Sequence, residues 1–107
     1  MNKSDLLRAH AASFANRTRL QTPQKCGCYY CLKIFDSSEI DDWSADEPDW
    51  TVLCPYCWID AVVGEDDGFP ITEEFLEEMN KMWFGEEEII EGSYPHAAVR
   101  LAERRLL

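Results

Sequence analysis

The sequence predicts an α+β fold, and three observations carry that expectation. Apolar residues recur at helical spacing in the amino-terminal segment and again after residue 70. A β-branched and aromatic run, Trp50-Thr51-Val52-Leu53, reads as a strand near the middle. Five cysteines cluster beside short aromatic stretches, and four of them form two Cys-x-x-Cys pairs. The 107 residues are 46% hydrophobic and 12% aromatic, enough for one core, so residues 1–107 are expected to form a single domain. A core of this size buries only about two-thirds of the unfolded surface, a narrow stability margin that a metal staple would widen.

The elements follow in order. Leu6, Leu7, Ala11, Phe14 and Ala15 keep helical spacing over residues 4–20 with Ser4 as N-cap, so residues 1–21 are expected to be an amino-terminal helix. Thr22-Pro23-Gln24 breaks that pattern, and CGCYYCLKIF suits a tight turn between short strands. Residues 36–49 are polar and acidic and read as a loop or hairpin tip, after which the strand at Trp50 runs into Cys54. Pro55 near a first helical position and Gly64 at a stop predict a short helix over residues 58–63. Thr72 caps a further helix with Glu73 and Glu74 in its first turn and the stripe Ile71, Phe75, Leu76, Met79, Met82 and Trp83; Gly85 ends it. A last helix is expected from about Pro95, with Arg104 and Arg105 near its carboxyl end. The domain thus divides into residues 1–21, a cysteine-bearing unit at 26–64 and a helical part at 70–107.

Cys28-x-x-Cys31 and Cys54-x-x-Cys57 are separated by 22 residues, a spacing close to that of two-knuckle zinc modules. A turn with two intervening residues aims both sulfurs at one point and lets backbone N–H groups donate to them. Two such turns complete the thiolate tetrahedron that zinc prefers. The expected ligands of a structural Zn2+ are therefore Cys28, Cys31, Cys54 and Cys57, although four thiolates also suit iron. Cys26 either replaces Cys28 or stays a free thiol; the Cys28 pairing is preferred because it keeps the two-residue gap. An odd cysteine count without a secretory signal argues against a disulfide framework.

Catalytic readings fare worse. Two cysteine pairs without a βαβ pattern disfavour thioredoxin-like chemistry. No histidine lies at the cysteine turns, as an HNH-type nuclease requires, and no H-x-E precedes the second pair, as in nucleotide deaminases. The site is expected to be closed and non-enzymatic, with His10 and His96 as surface or packing residues. Tyr29, Tyr30, Trp43, Trp50, Tyr56 and Trp58 surround the cysteines in sequence; shielding the metal is the preferred role and partner binding the alternative.

The segment CYYCLKIF, followed by a strand and CPYC, resembles a treble-clef zinc finger. That resemblance implies a β-hairpin plus a short helix whose amino end carries the second ligand pair and whose dipole stabilises thiolate charge. The finger would pack against the amino-terminal, central and carboxyl-terminal helices. A zinc ribbon is the alternative and places residue 58 onward in a strand. The combination CGCYYC, CPYCWIDAVVG and GFPITEEFLEEMNKMWF is similar to a family of small bacterial proteins described as hypothetical cytoplasmic proteins, over roughly residues 26–84. The likeness implies the cysteine site and no activity. Trp58 stands where a glycine is expected after the second pair.

The net charge of −11 is unevenly spread. Residues 1–33 carry six bases against Asp5 alone, residues 34–92 carry nineteen acids against Lys81, and residues 93–107 return a net +2. The acidic middle repels phosphate backbones and favours a basic partner. No stretch approaches the roughly 20 apolar residues of a membrane span, so a cytoplasmic location is expected. The leading expectation is a zinc-stapled adaptor or inhibitor docking a basic protein, such as an immunity protein or antitoxin that covers a nuclease toxin. Asp41, Asp42, Trp43, Asp46, Glu47 and Asp49 are its candidate partner-binding residues, a solvated hairpin tip being the simpler account. The alternative is a nucleic-acid-binding finger using Arg8, Arg17 and Arg19, which the net charge opposes.

Overall fold

A computed structural model describes residues 2–85, so the helix expected from Pro95, and His96 with it, lie outside the described residues. Helix α1 (Lys3–Ala12) starts earlier than expected because Asn2 is as good a cap as Ser4 and comes first. Its side-chain oxygen accepts from the Asp5 amide at 2.8 Å. The helix also stops eight residues short of residue 20, for reasons that lie in the core. The Ser13 hydroxyl bonds the His10 carbonyl at 2.6 Å and lies 2.9 Å from the Tyr29 hydroxyl. Ala15 takes a left-handed φ of 52° and donates its amide to Thr51 Oγ1 at 2.8 Å. These long-range bonds outcompete helical continuation, and only a 3₁₀ turn at Arg19–Gln21 follows.

Five short strands come next: β1 (Lys25–Cys28), β2 (Ile34–Asp36), β3 (Trp43–Ser44), β4 (Thr51–Val52) and β5 (Val62–Gly64). The main sheet runs β2-β1-β5, antiparallel throughout, with Cys26 opposite Phe35 on one side and Gly64 on the other. Strands β3 and β4 form a separate antiparallel pair. The fold is therefore mixed α and β, with small antiparallel sheets.

The helix expected over residues 58–63 does not form. Trp58 has φ 67°, which no right-handed helix accommodates, and the chain enters β5 instead. The cause is tertiary: Val62 and Val63 pair with Cys28 and Gly27 and are fully buried, and β-branched residues suit that ladder. Gly64 is a point of close approach, since a Cβ there would collide with the Gln24 side chain.

Helix α2 (Glu73–Phe84) matches its expected limits. Thr72 caps it through the Phe75 amide at 3.2 Å, Gly85 ends it, and Phe75, Leu76 and Met79 are buried. It crosses the sheet over Gly27, where a Cβ would come within 2.9 Å of Leu76 Cδ1. Helix α1 packs beside it through His10, whose ring stacks on Trp83 at 3.8 Å.

One buried polar residue holds the halves together. Asn16 is fully buried; its Oδ1 accepts from the Val52 amide at 3.1 Å and its Nδ2 donates to the Val62 carbonyl at 2.9 Å. It thus bridges β4 and β5. Replacing it strands a buried N–H and a buried carbonyl, so Asn16→Ala should lower the unfolding free energy by about 3 kcal/mol, read as a drop in the denaturant midpoint at unchanged slope.

Candidate metal centre

The loop from β1 to β2 and the loop from β4 to β5 are the same turn built twice. In the first, the Leu32 amide donates to the Cys28 carbonyl at 2.8 Å and the Cys28 amide to the Lys33 carbonyl at 3.0 Å. In the second, the Trp58 amide donates to the Cys54 carbonyl at 2.9 Å and the Cys54 amide to the Ile59 carbonyl at 3.0 Å. The amide two residues after each leading cysteine points at its sulfur: Tyr30 N to Cys28 Sγ at 3.4 Å, Tyr56 N to Cys54 Sγ at 3.3 Å. Both turns close on a residue with left-handed backbone, Leu32 at φ 69° and Trp58 at φ 67°.

The sheet places the two turns face to face. Pairing of Cys28 with Val62 fixes the strand leading into one turn against the strand leaving the other. Cys28 Sγ lies 3.6 Å from Cys57 Sγ, and Cys31 Sγ lies 3.7 Å from Cys54 Sγ. The sulfurs of all four cysteines lie within 4.8 Å of one another. Disulfides need about 2.05 Å, so these are free thiols. A tetrahedral zinc with bonds of about 2.3 Å sets its sulfurs about 3.8 Å apart, and the cluster fits that ion. Cys26 has no place in the group: it sits two residues back along β1, away from the turn, and its thiol meets the Gln24 carbonyl at 4.0 Å.

Crowding shapes the electrostatics. Hydrogen bonds, chiefly from Cys28, pull the Cys31 and Cys54 thiols below the ordinary range. The crowding of Cys31 first, then of Cys54 and Cys57, together with burial holds the Cys28 thiol well above it. For Cys57 the hydrogen bond with Cys28 acts downward, but contacts with Cys31 and Cys54 together with burial outweigh it and hold the thiol up. Four sulfurs this close cannot all ionise unaided, and a dication supplies the missing charge. Cys26 is pushed up to about 12, first by burial and then by Asp36, Glu65, Asp66 and Asp67; it is an inert core thiol.

The acidic segment is less uniform. Trp43 is half-buried with the Arg17 guanidinium 4.0 Å above its ring. Asp49 accepts from the Thr18 and Trp50 amides, at 2.9 and 2.8 Å, and Asp42 from the Trp43 amide at 2.8 Å. Asp46 lies 3.5 Å from the Ser44 hydroxyl. Asp41 and Glu47 are exposed and make no polar contact among the described residues. The arginines are also engaged: Arg8 pairs with Asp5 at 2.6 Å, and Arg19 pairs with Asp67 at 3.2 Å and caps the Ala12 carbonyl at 2.8 Å. Arg17 and Arg19 lie beyond α1.

Two residues that sequence reasoning missed support the site. Asn16 carries no local signal. Asn80, whose Nδ2 donates to the Tyr29 and Tyr30 carbonyls at 3.0 and 3.1 Å, does: it is a polar residue four positions after Leu76 on the buried stripe of α2.

The class defined by this geometry is a four-cysteine metal site on paired turns, within a small mixed domain. Comparison of the chain with protein-family models, curated proteins and solved structures finds no match.

Elemental analysis of purified protein should find one metal per chain. Cys57→Ser should weaken retention against a competing chelator by at least about a hundredfold, while Cys26→Ala should keep full stoichiometry. Because the bound form needs four thiolates, affinity should fall with falling pH, and metal uptake should release protons detectable with an indicator dye. The backbone at residue 58 gives a separate check. Trp58→Gly and Trp58→Ala lose the same indole, yet the glycine variant should be more stable by about 1 kcal/mol, since only it adopts a left-handed φ without cost.

Proposed function

We propose that this chain is a zinc-stapled protein-interaction module, an adaptor or an inhibitor of the immunity or antitoxin type, whose acidic surface docks a basic partner. The observation that carries the reading is the combination of a four-thiolate site with a surface of one dominant sign. Residues 2–85 hold sixteen acids against seven bases. Four thiolates fill a zinc coordination sphere, which supports a structural role over a catalytic one. The engagement of Arg8, Arg17 and Arg19 in contacts within the chain favours a protein partner over nucleic acid.

The finger is better described as a two-turn ribbon than as a treble clef, because the second cysteine pair leads into β5. Kinship with the small bacterial cytoplasmic proteins is part of the same proposal. Its support is that the three segments of the resemblance converge here: the first turn, the second turn facing it and the α2 helix that packs on the first. A cytoplasmic location accords with five reduced cysteines. Among the described residues no helix is long and apolar enough to cross a membrane.

Affinity purification from native cells at low and high salt tests the reading. A basic protein should co-purify and be released as salt rises, and Asp41→Lys with Glu47→Lys should slow its association by about tenfold at low salt. Recovery of only acidic or salt-insensitive partners overturns it.

A further inference from the structure

The two cysteine turns share a backbone but differ in what covers them. The first is capped by α2. Asn80 donates to the carbonyls of Tyr29 and Tyr30, and one helical turn later Phe84 packs on the same two residues, 5.8 Å from the Tyr29 ring and edge-on to Tyr30 at 4.9 Å. Tyr29 is consequently 2% exposed.

The positions of the second turn that correspond to Tyr29 and Tyr30 are Pro55 and Tyr56. Their carbonyls accept no hydrogen bond among the described residues. Tyr56 is 51% exposed and Trp58 is 41% exposed, both large rings beside a buried metal site. Trp58 also holds the left-handed backbone that glycine would hold without strain. Among the described residues Trp58 belongs neither to the buried core nor to the partly buried residues around it.

The charge around this bare turn is negative. Segment 39–42 runs beside it, tied by Glu39, which accepts from the Tyr56 hydroxyl, and by the Leu53 amide, which donates to the Asp42 carbonyl at 3.0 Å. Glu39 therefore meets the Tyr56 ring directly, and the exposed Asp41 and Asp42 follow on the segment held beside Leu53, against Lys33, whose ammonium lies 5.5 Å from the Tyr56 ring.

We infer that the second cysteine turn, centred on Tyr56 and Trp58, is a docking site for a basic helix of a partner protein that carries a side-chain amide and, four residues later, an aromatic ring. The template is α2 on the first turn: the amide satisfies the two carbonyls and the ring covers the aromatic tip. The difference is charge, since α2 itself is acidic through Glu73, Glu74, Glu77 and Glu78, whereas the rim at Glu39, Asp41 and Asp42 selects lysine and arginine. Exposed tryptophan and tyrosine are the residues that anchor such contacts. This inference rests on the interaction-module reading and names its surface.

The test is an NMR titration of isotope-labelled, metal-loaded full chain with three cross-linked helical peptides of about 16 residues, long enough to hold a helix once stapled. The first is lysine-rich with Asn and Phe four residues apart. The second replaces that Asn and Phe by Ala, and the third keeps them on a glutamate-rich helix. The first peptide should shift the amides of Tyr56, Cys57 and Trp58, and the second should bind at least tenfold more weakly. Trp58→Gly and Tyr56→Ala, each still loading one metal, should weaken the first peptide by a similar factor. Absence of shifts at the second turn, or equal binding of the first two peptides confined to residues 41–49, overturns the inference; the latter leaves the basic-partner reading intact. Equal binding of the glutamate-rich peptide at Tyr56 and Trp58 overturns the selection of a basic helix, and the basic-partner reading with it.

Discussion

Four sulfurs brought within 4.8 Å of one another are the constraint on which the rest depends. Thiolates at that separation repel strongly in a protein interior, so the arrangement is stable only with shared protons or a cation among them. The surrounding chain is arranged to keep them there regardless. β1 lies between β2 and β5, so both strands of the first turn and the strand leaving the second belong to one sheet, while β4, which leads into the second turn, pairs with β3. Cys28 and Cys54 are fully buried, and each accepts a backbone hydrogen bond on sulfur. A metal ion bound here cross-links segments that are far apart in sequence, which is how a small core gains stability beyond its buried area.

What could be read from the sequence follows the range of the interactions involved. The cysteine quartet was legible because each Cys-x-x-Cys turn is specified within a few residues, and the choice of Cys28 over Cys26 followed from spacing alone. Strand alternation does not separate the two, since Cys26 and Cys28 differ by two on β1 and share a face; position does, because only Cys28 sits at the turn. Helix α2 was legible because its cap, acidic first turn and apolar stripe agree with one another. The end of α1 was not, since Ser13, Ala15 and Asn16 leave the helix to meet Tyr29, Thr51 and Val52, all distant in sequence. The segment 58–63 was misread for the same reason: its apolar run fits a short helix locally, and only the open edge of β1 decides for a strand.

Leu32 and Trp58 show how strain and exposure separate structural from exposed positions. Both close a cysteine turn with positive φ, and both would be relieved by glycine. Leu32 is half-buried and packs against the core, so its side chain offsets the backbone cost. Trp58 has no such compensation in the described residues, being 41% exposed. A large ring kept at a costly backbone position without a core to fill is explained by a surface role, and the neighbouring Tyr56 extends that surface.

Two asparagines, Asn16 buried and Asn80 half-buried, divide the work of positioning. Asn80 reaches from α2 to the tip of the first turn, and Asn16 reaches from the end of the amino-terminal segment to the strands on either side of the second. Each satisfies two backbone groups that water would otherwise have to reach, so each turn is held from outside the sulfur cluster as well as through it. A site positioned in this way loses less conformational entropy when the ion arrives than one assembled from flexible loops. The two supports are not equivalent, however. Asn80 acts on the tip and leaves it covered, whereas Asn16 acts on the stem and leaves the tip open. The difference in exposure at the equivalent positions, Tyr30 half-buried and Tyr56 exposed, accords with this: the second turn is fixed in position without being covered, which is the arrangement a preorganised docking surface requires.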